Sequence, residues 1–160
     1  MNTPFRTTVA TVPTGVTVVG TVVDGQPHGM TVNSFVSISI APPLVLVSVH
    51  MESRTYQRIA RSGAFAVTAL SDGQEQVARW FADAARPSGA EAFAGISWKP
   101  APHTRSPILL DGVSYFDCTV HRMYVAGDHM LVIGDVLAYD LLYDRPPLLF
   151  VRSHFTELRT

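Results

Sequence analysis

The stretch His28-Gly29-Met30-Thr31-Val32-Asn33-Ser34-Phe35-Val36-Ser37-Ile38-Ser39-Ile40-Ala41-Pro42-Pro43, with the apolar run Leu44 to Val49 behind it, decides how this chain folds. It describes an apolar strand leading into small hydroxyl and amide side chains, then a Pro-Pro corner, then a second, buried strand. Such a segment offers backbone N–H groups, hydroxyls and an amide to a flat polar ligand. Taken alone it is better explained as the strand, loop and strand of an ordinary β-protein core, because Ser, Thr and Asn are common loop residues.

Upstream, the β-branched run Gly15 to Val23 ends at Asp24-Gly25, a tight-hairpin signal, so a strand returns through Gln26 to Val32 and delivers the opening stretch. Before it, Thr3 as N-cap and Pro4 at the first helical position open a short helix to Ala10. Downstream, Ser53 reads as an N-cap and Gly63 as the residue past the C-terminus, which makes Arg54 to Ser62 a helix. Its free N–H groups, edged by Ser53, Arg54 and Thr55, suit a phosphate. A plain capped helix explains the same residues, since most helices need a cap.

Phe65 to Leu70 is a further strand. Asp72-Gly73-Gln74-Glu75 has capping-box spacing and opens a helix to Ala82, with Val77, Trp80 and Phe81 on one face. Ala84 to Asp111, rich in Pro and Gly, reads as a long excursion within a single domain spanning residues 1–160. Val113 to Val125 and Met130 to Tyr139 flank the bend Ala126-Gly127-Asp128-His129, and Leu148 to Val151 closes the series. His129 stands where a turn meets a strand, a place where a ring can face a cleft, although a turn histidine is usually just solvated.

About seven strands and two or three short helices make a mostly β fold, antiparallel and Greek-key-like, closed or nearly closed into a barrel. At 160 residues the chain is long enough to bury a substantial core. Charged residues are only 16% against 47% hydrophobic, a lean surface that points to a homo-oligomer. Twelve scattered basic residues against thirteen acidic ones leave no footprint for nucleic acid. No charged leader precedes an apolar core and no apolar run nears the roughly 20 residues that span a bilayer, so a cytoplasmic location is expected. The single Cys118 is expected to be a buried, inert thiol. No familiar metal-ligand spacing, G-x-G-x-x-G fingerprint or G-x-S-x-G elbow occurs, so neither a metal site, a Rossmann fold nor hydrolysis is supported.

Thr14-Gly15-Val16-Thr17-Val18-Val19, the His28 to Phe35 segment, Pro42-Pro43-Leu44-Val45, Gly127-Asp128-His129 and Ile133-Gly134-Asp135-Val136 together, in this order, resemble the flavin reductase family, the small reductase components of two-component flavin monooxygenases. The resemblance runs from about Phe5 to Leu158. It implies an FMN-binding type of split β-barrel that dimerises, with the flavin near the subunit interface. It further implies hydride transfer from NADH, or NADPH, to FMN or FAD, and release of reduced flavin to a partner monooxygenase. Carried onto this chain, Thr31, Val32, Asn33, Ser34 and Phe35 cradle the flavin, with Ser37 and Ile38 continuing along its ring. Ser53, Arg54 and Thr55 take its phosphate, as the helix-terminus argument independently suggests, while His129 and Phe155 contact the nicotinamide. No residue need act as an acid or base. The chain departs from the family pattern at Val12-Pro13 and at Arg152-Ser153-His154-Phe155, where a more glycine-rich segment is usual. The second departure leaves NADH against NADPH open. A same-fold oxidoreductase that keeps its flavin bound and reduces another acceptor, and a non-catalytic flavin-binding module, remain as alternatives.

Overall fold

The computed structural model describes residues 3–158. In chain order these form α1 (Thr3–Val9), β1 (Thr14–Gly15), β2 (Thr17–Val23), β3 (Gln26–Val32), β4 (Val36–Ile40), β5 (Pro43–His50), α2 (Arg54–Ser62) and β6 (Ala64–Ala69). A 3₁₀ turn (Asp72–Gln74), α3 (Glu75–Ala82), a second 3₁₀ turn (Gly89–Phe93), β7 (Trp98–Pro100) and β8 (Pro107–Leu109) follow. The chain then runs through β9 (Ser114–Ala126), β10 (His129–Leu141), β11 (Leu148–Val151) and β12 (His154–Glu157).

The main sheet is antiparallel with strand order β3-β2-β6-β9-β10-β5-β4. Its inward side chains alternate with period two, as in β5, where Val45, Val47 and Val49 are buried. Those residues meet Val19, Val32, Phe65, Val67, Cys118 and Val132 in one cluster, which Ile59 of α2 caps. Strands from both ends of the hydrogen-bonded order therefore share one core, and the sheet curls around it as a split barrel must. Ser34 closes the seam: its hydroxyl donates to Ser48 O (2.8 Å) and accepts from Ser48 N (2.9 Å), pinning the β3–β4 connection onto β5. Burial pushes the Cys118 thiol up to about 12, in keeping with an inert core residue.

Several boundaries differ from expectation. The helix at the start begins at Thr3, so Thr3 lies within α1 rather than capping it. The Gly15 to Val23 run is split at Val16, with β1 pairing with β11 and β2 with β3 and β6. The capping box sits one residue earlier, at Ser71 and Gln74, where Ser71 N donates to Gln74 Oε1 (3.0 Å). Ser37 to Ile40, expected as the loop before the Pro-Pro corner, is strand β4, folded back on β5 across Ala41-Pro42. The excursion from Ala84 to Asp111 also contributes to the core, with Ala92, Phe93, Ile108 and Leu109 buried. Short runs without a clear period conceal such elements, because long-range packing orders them. The expected Asp24-Gly25 hairpin is present, with both residues left-handed (φ 52° and 74°) as a tight I′ turn requires.

Two glycines of the quoted segments serve packing. A Cβ at Gly134 would meet Phe65 Cζ at 2.6 Å, and one at Gly29 would meet Phe81 Cε1 at 2.9 Å. No helix among the described residues is long and apolar enough to cross a membrane.

Candidate functional site

Strand β5 ties the candidate residues together. Near its end Ser48 holds Ser34, and its last residue, His50, pairs with His129 of β10. The chain then turns directly into α2, with Ser53 N donating to His50 O (2.9 Å) and Met51 N to Asp128 O (3.1 Å). The Asn33 to Phe35 segment, the start of α2 and the Gly-Asp-His turn thus converge on one end of one strand.

At that turn Asp128 Oδ1 lies 2.7 Å from His129 Nδ1. A carboxylate can only accept, so Nδ1 carries the proton of this contact, and Nε2 makes no hydrogen bond among the described residues. The same hydrogen bond is the main cause holding the Asp128 carboxyl below its ordinary value. His50 completes the group. Its Nδ1 accepts from Glu52 N (3.2 Å), its Nε2 lies 3.7 Å from Asp128 Oδ2, and its ring stands edge-on to His129 with centroids 5.3 Å apart.

The first turn of helix α2 carries donors and no carboxylate. Ser53 is its N-cap, its hydroxyl accepting from Tyr56 N (3.1 Å), and no acidic residue occupies the first turn. Gly63 ends it in the left-handed conformation (φ 69°). The amides of Arg54 and Thr55 have no acceptor among the described residues, so two N–H groups and the positive helix end remain available.

The remaining candidates divide by orientation. Asn33, Ser37 and Ile38 are exposed. Val32 and Thr55 are buried, at 6% and 1% exposure, so only their backbone can meet a ligand. Thr31 donates to Ala78 O (2.6 Å) of α3, and the Phe35 ring packs on Phe116 at 5.1 Å. The Arg54 guanidinium turns sideways, to Ser88 Oγ (2.9 Å) and Ala84 O (3.1 Å). Phe155 stands apart: it packs on Phe150 at 5.1 Å, beneath the Arg79 guanidinium at 4.9 Å, in the small β1-β11-β12 sheet. No described contact joins it to His129.

Sequence reasoning missed His50, Arg58, Arg86 and His28. His50 becomes legible only through its register with His129. Arg58 follows Arg54 by four residues, a spacing the helix alone places on one face. His28 and Arg86 carry no local signal. The His28 ring is driven down to about 4, first by burial and then by Arg58, Arg54 and Arg86. Among the described residues no group of three or more His, Cys, Asp or Glu side chains could hold a metal ion.

Fold and site together define a split-barrel protein with backbone and side-chain donors gathered at the end of β5. The chain belongs to the flavin reductase family: residues 9–159 match the flavin reductase like domain. An NADH-dependent FAD reductase of Streptomyces globisporus is 41% identical over 143 residues, covering 89% of this chain and 78% of that protein. The HsaB reductase subunit of a flavin-dependent monooxygenase from Rhodococcus jostii is 36% identical over 96% of this chain and 76% of its own. The Streptomyces globisporus NADH:FAD oxidoreductase SgcE6, solved in complex with NAD and FAD fragments, superposes with a TM-score of 0.91 at 35% identity, over 97% of this chain and 91% of that one.

Proposed function

We propose that this chain is an NADH-dependent flavin reductase that supplies reduced flavin to a partner monooxygenase. The observation that carries the reading is the convergence on β5 of three parts: the Asn33 to Phe35 segment, the N-terminus of α2 with its two unpaired amides and the Asp128-oriented His129. The residues fit a flavin, since two free amides and a helix end without carboxylates match its phosphate. When bound, the flavin supplies the acceptor for the nicotinamide's hydride.

The protein's own part is positioning. The backbone from Thr31 to Phe35, with Ser37 and Ile38, lines the ring, and Ser53, Arg54 and Thr55 hold the phosphate. Asp128 fixes the His129 tautomer so that Nε2 accepts from the nicotinamide carboxamide. FAD is the flavin and NADH the donor that the relatives' names favour, with FMN and NADPH as the other substrates to be compared. Phe155 reaches nicotinamide only if a second subunit brings it there, which agrees with a homodimer.

The dimer reading rests on one apolar face. Ile40 of β4 and Tyr139 and Leu141 of β10 are 86%, 68% and 80% exposed, and Ile40, Leu44 and Tyr139 border a groove of about 250 Å³. Residues 1–160 act as a single domain in this reading, in the cytoplasm where NADH is available.

The decisive experiment follows NADH and NADPH oxidation with FAD, FMN and riboflavin each added to the purified protein. Oxidation of NADH that depends on added flavin is expected. In the same assay His129→Ala should raise KM for NADH about five- to tenfold, the loss of one hydrogen bond, with little change in flavin affinity. A yellow protein that oxidises NADH without added flavin would mean a bound prosthetic group and another acceptor. A yellow protein with no oxidation would reduce the chain to a binding module.

A further inference from the structure

Positive charge gathers on one flank of α2, where Asp83 acts on Arg86 only at a distance and none of Arg54, Arg58 and Arg86 forms an ion pair among the described residues. Arg86 donates through Nε and Nη2 to Gly29 O (3.1 and 2.7 Å) and through Nη1 to Asp83 O (2.7 Å). Arg54 donates to Ser88 Oγ and Ala84 O. These acceptors are neutral carbonyl and hydroxyl oxygens. They satisfy donors but cancel no charge.

Arg58 has not even that. Among the described residues its guanidinium makes neither a hydrogen bond nor an ion pair, although it is partly buried and lies close enough to Arg54 to feel its repulsion. It borders an open groove of about 560 Å³ together with His28, Gln57, Arg61 and Ser88. The groove's one carboxylate, Asp24, is already paired with Arg61 at 2.8 Å. Partly buried like charges that lack a counter-ion repel one another and cost desolvation. A site that keeps three of them together is complementary to an anion.

Position narrows which anion. The helix rises about 1.5 Å per residue, so Arg58 lies about 6 Å along the axis from Arg54 and the free amides of the first turn. A ligand whose first phosphate sits on those amides and whose chain continues along the flank brings its next phosphate toward Arg58. We propose that Arg58, with Arg54 and Arg86 behind it, binds the second phosphate of FAD, whose adenylate half occupies the adjoining groove, and so makes the site prefer FAD to FMN. This inference rests on the flavin-reductase reading. It adds a specificity determinant that neither the helix N-terminus nor His129 supplies.

Titration of the wild type and of Arg58→Gln with FAD and with FMN, followed by flavin fluorescence, tests it. The substitution should raise the Kd for FAD about tenfold or more, the loss of a charge-assisted contact, and shift the FAD to FMN affinity ratio by a similar factor. Arg58→Lys should recover part of the loss. An unchanged ratio, with both affinities altered equally or neither, overturns the assignment. A parallel titration with NAD+ covers the other dinucleotide: a tenfold loss there with FAD unaffected would also overturn it. Wild-type protein that oxidises no NADH with any flavin would remove the reductase reading instead, leaving the FAD to FMN ratio to be judged by itself.

Discussion

His28 shows how a residue takes its chemistry from its neighbours. It belongs to a strand whose period-two pattern gives no reason to expect an unusual ring, yet burial and the three arginines keep it neutral down to about pH 4. The sign of the consequence is definite. Below the ordinary value of 6.5 the unfolded chain takes up a proton that the folded chain refuses, so folding stability falls as pH drops from about 6.5 toward 4. Urea unfolding of His28→Gln should show a shallower loss between pH 7 and pH 5 than the wild type. Identical slopes would mean that the ring takes up its proton in the folded protein as readily as in the unfolded chain. At the same scale, the neighbouring Asp128 sets which ring nitrogen of His129 carries the proton.

Among the elements, the β11–β12 hairpin is the least settled by its own residues. Val151 pairs with His154 across a two-residue turn, and both Arg152 (φ 50°) and Ser153 (φ 64°) occupy the left-handed region. That is the geometry of a I′ turn, which favours Asn and Gly and costs other residues about 1 kcal/mol each. The departure from the glycine-rich pattern of the family therefore has an energetic price. Ser153→Gly should stabilise the protein by about 0.5–1 kcal/mol, measured as a rise in the urea midpoint at constant m. A fall would show that the Ser153 side chain contributes more than the strain it causes. The β5–α2 junction is the opposite case: N-cap, helix and C-cap were all legible locally, because capping is a short-range event.

For the whole molecule, the exposed apolar face along β4 and β10 is a feature that no local signal in the sequence located. Curling the sheet buries the inward residues and leaves Ile40, Tyr139 and Leu141 turned out together. If that face joins two copies, Ile40→Lys with Tyr139→Asp should yield a monomer by sedimentation velocity, with the unfolding transition kept. A dimer that survives both charges would place the interface elsewhere.

The sequence by itself determined the mostly β class, the Asp24-Gly25 hairpin, the capped helix α2, the buried Cys118 and the family to which the chain belongs. These depend on turn chemistry, capping and alternation, which act over a few residues, or on short motifs in a specific order. Tertiary structure alone decided that Ser37 to Ile40 form a strand, that the 84–111 segment enters the core, that Thr31 and Phe35 turn to the protein's own contacts, and that His50 and His129 meet. It also decided that Arg58 and Arg86 share one flank with Arg54 and His28. Each of those facts joins residues far apart in the chain, and such pairings are set by how the sheet curls and which faces it must bury rather than by the preferences of any one segment.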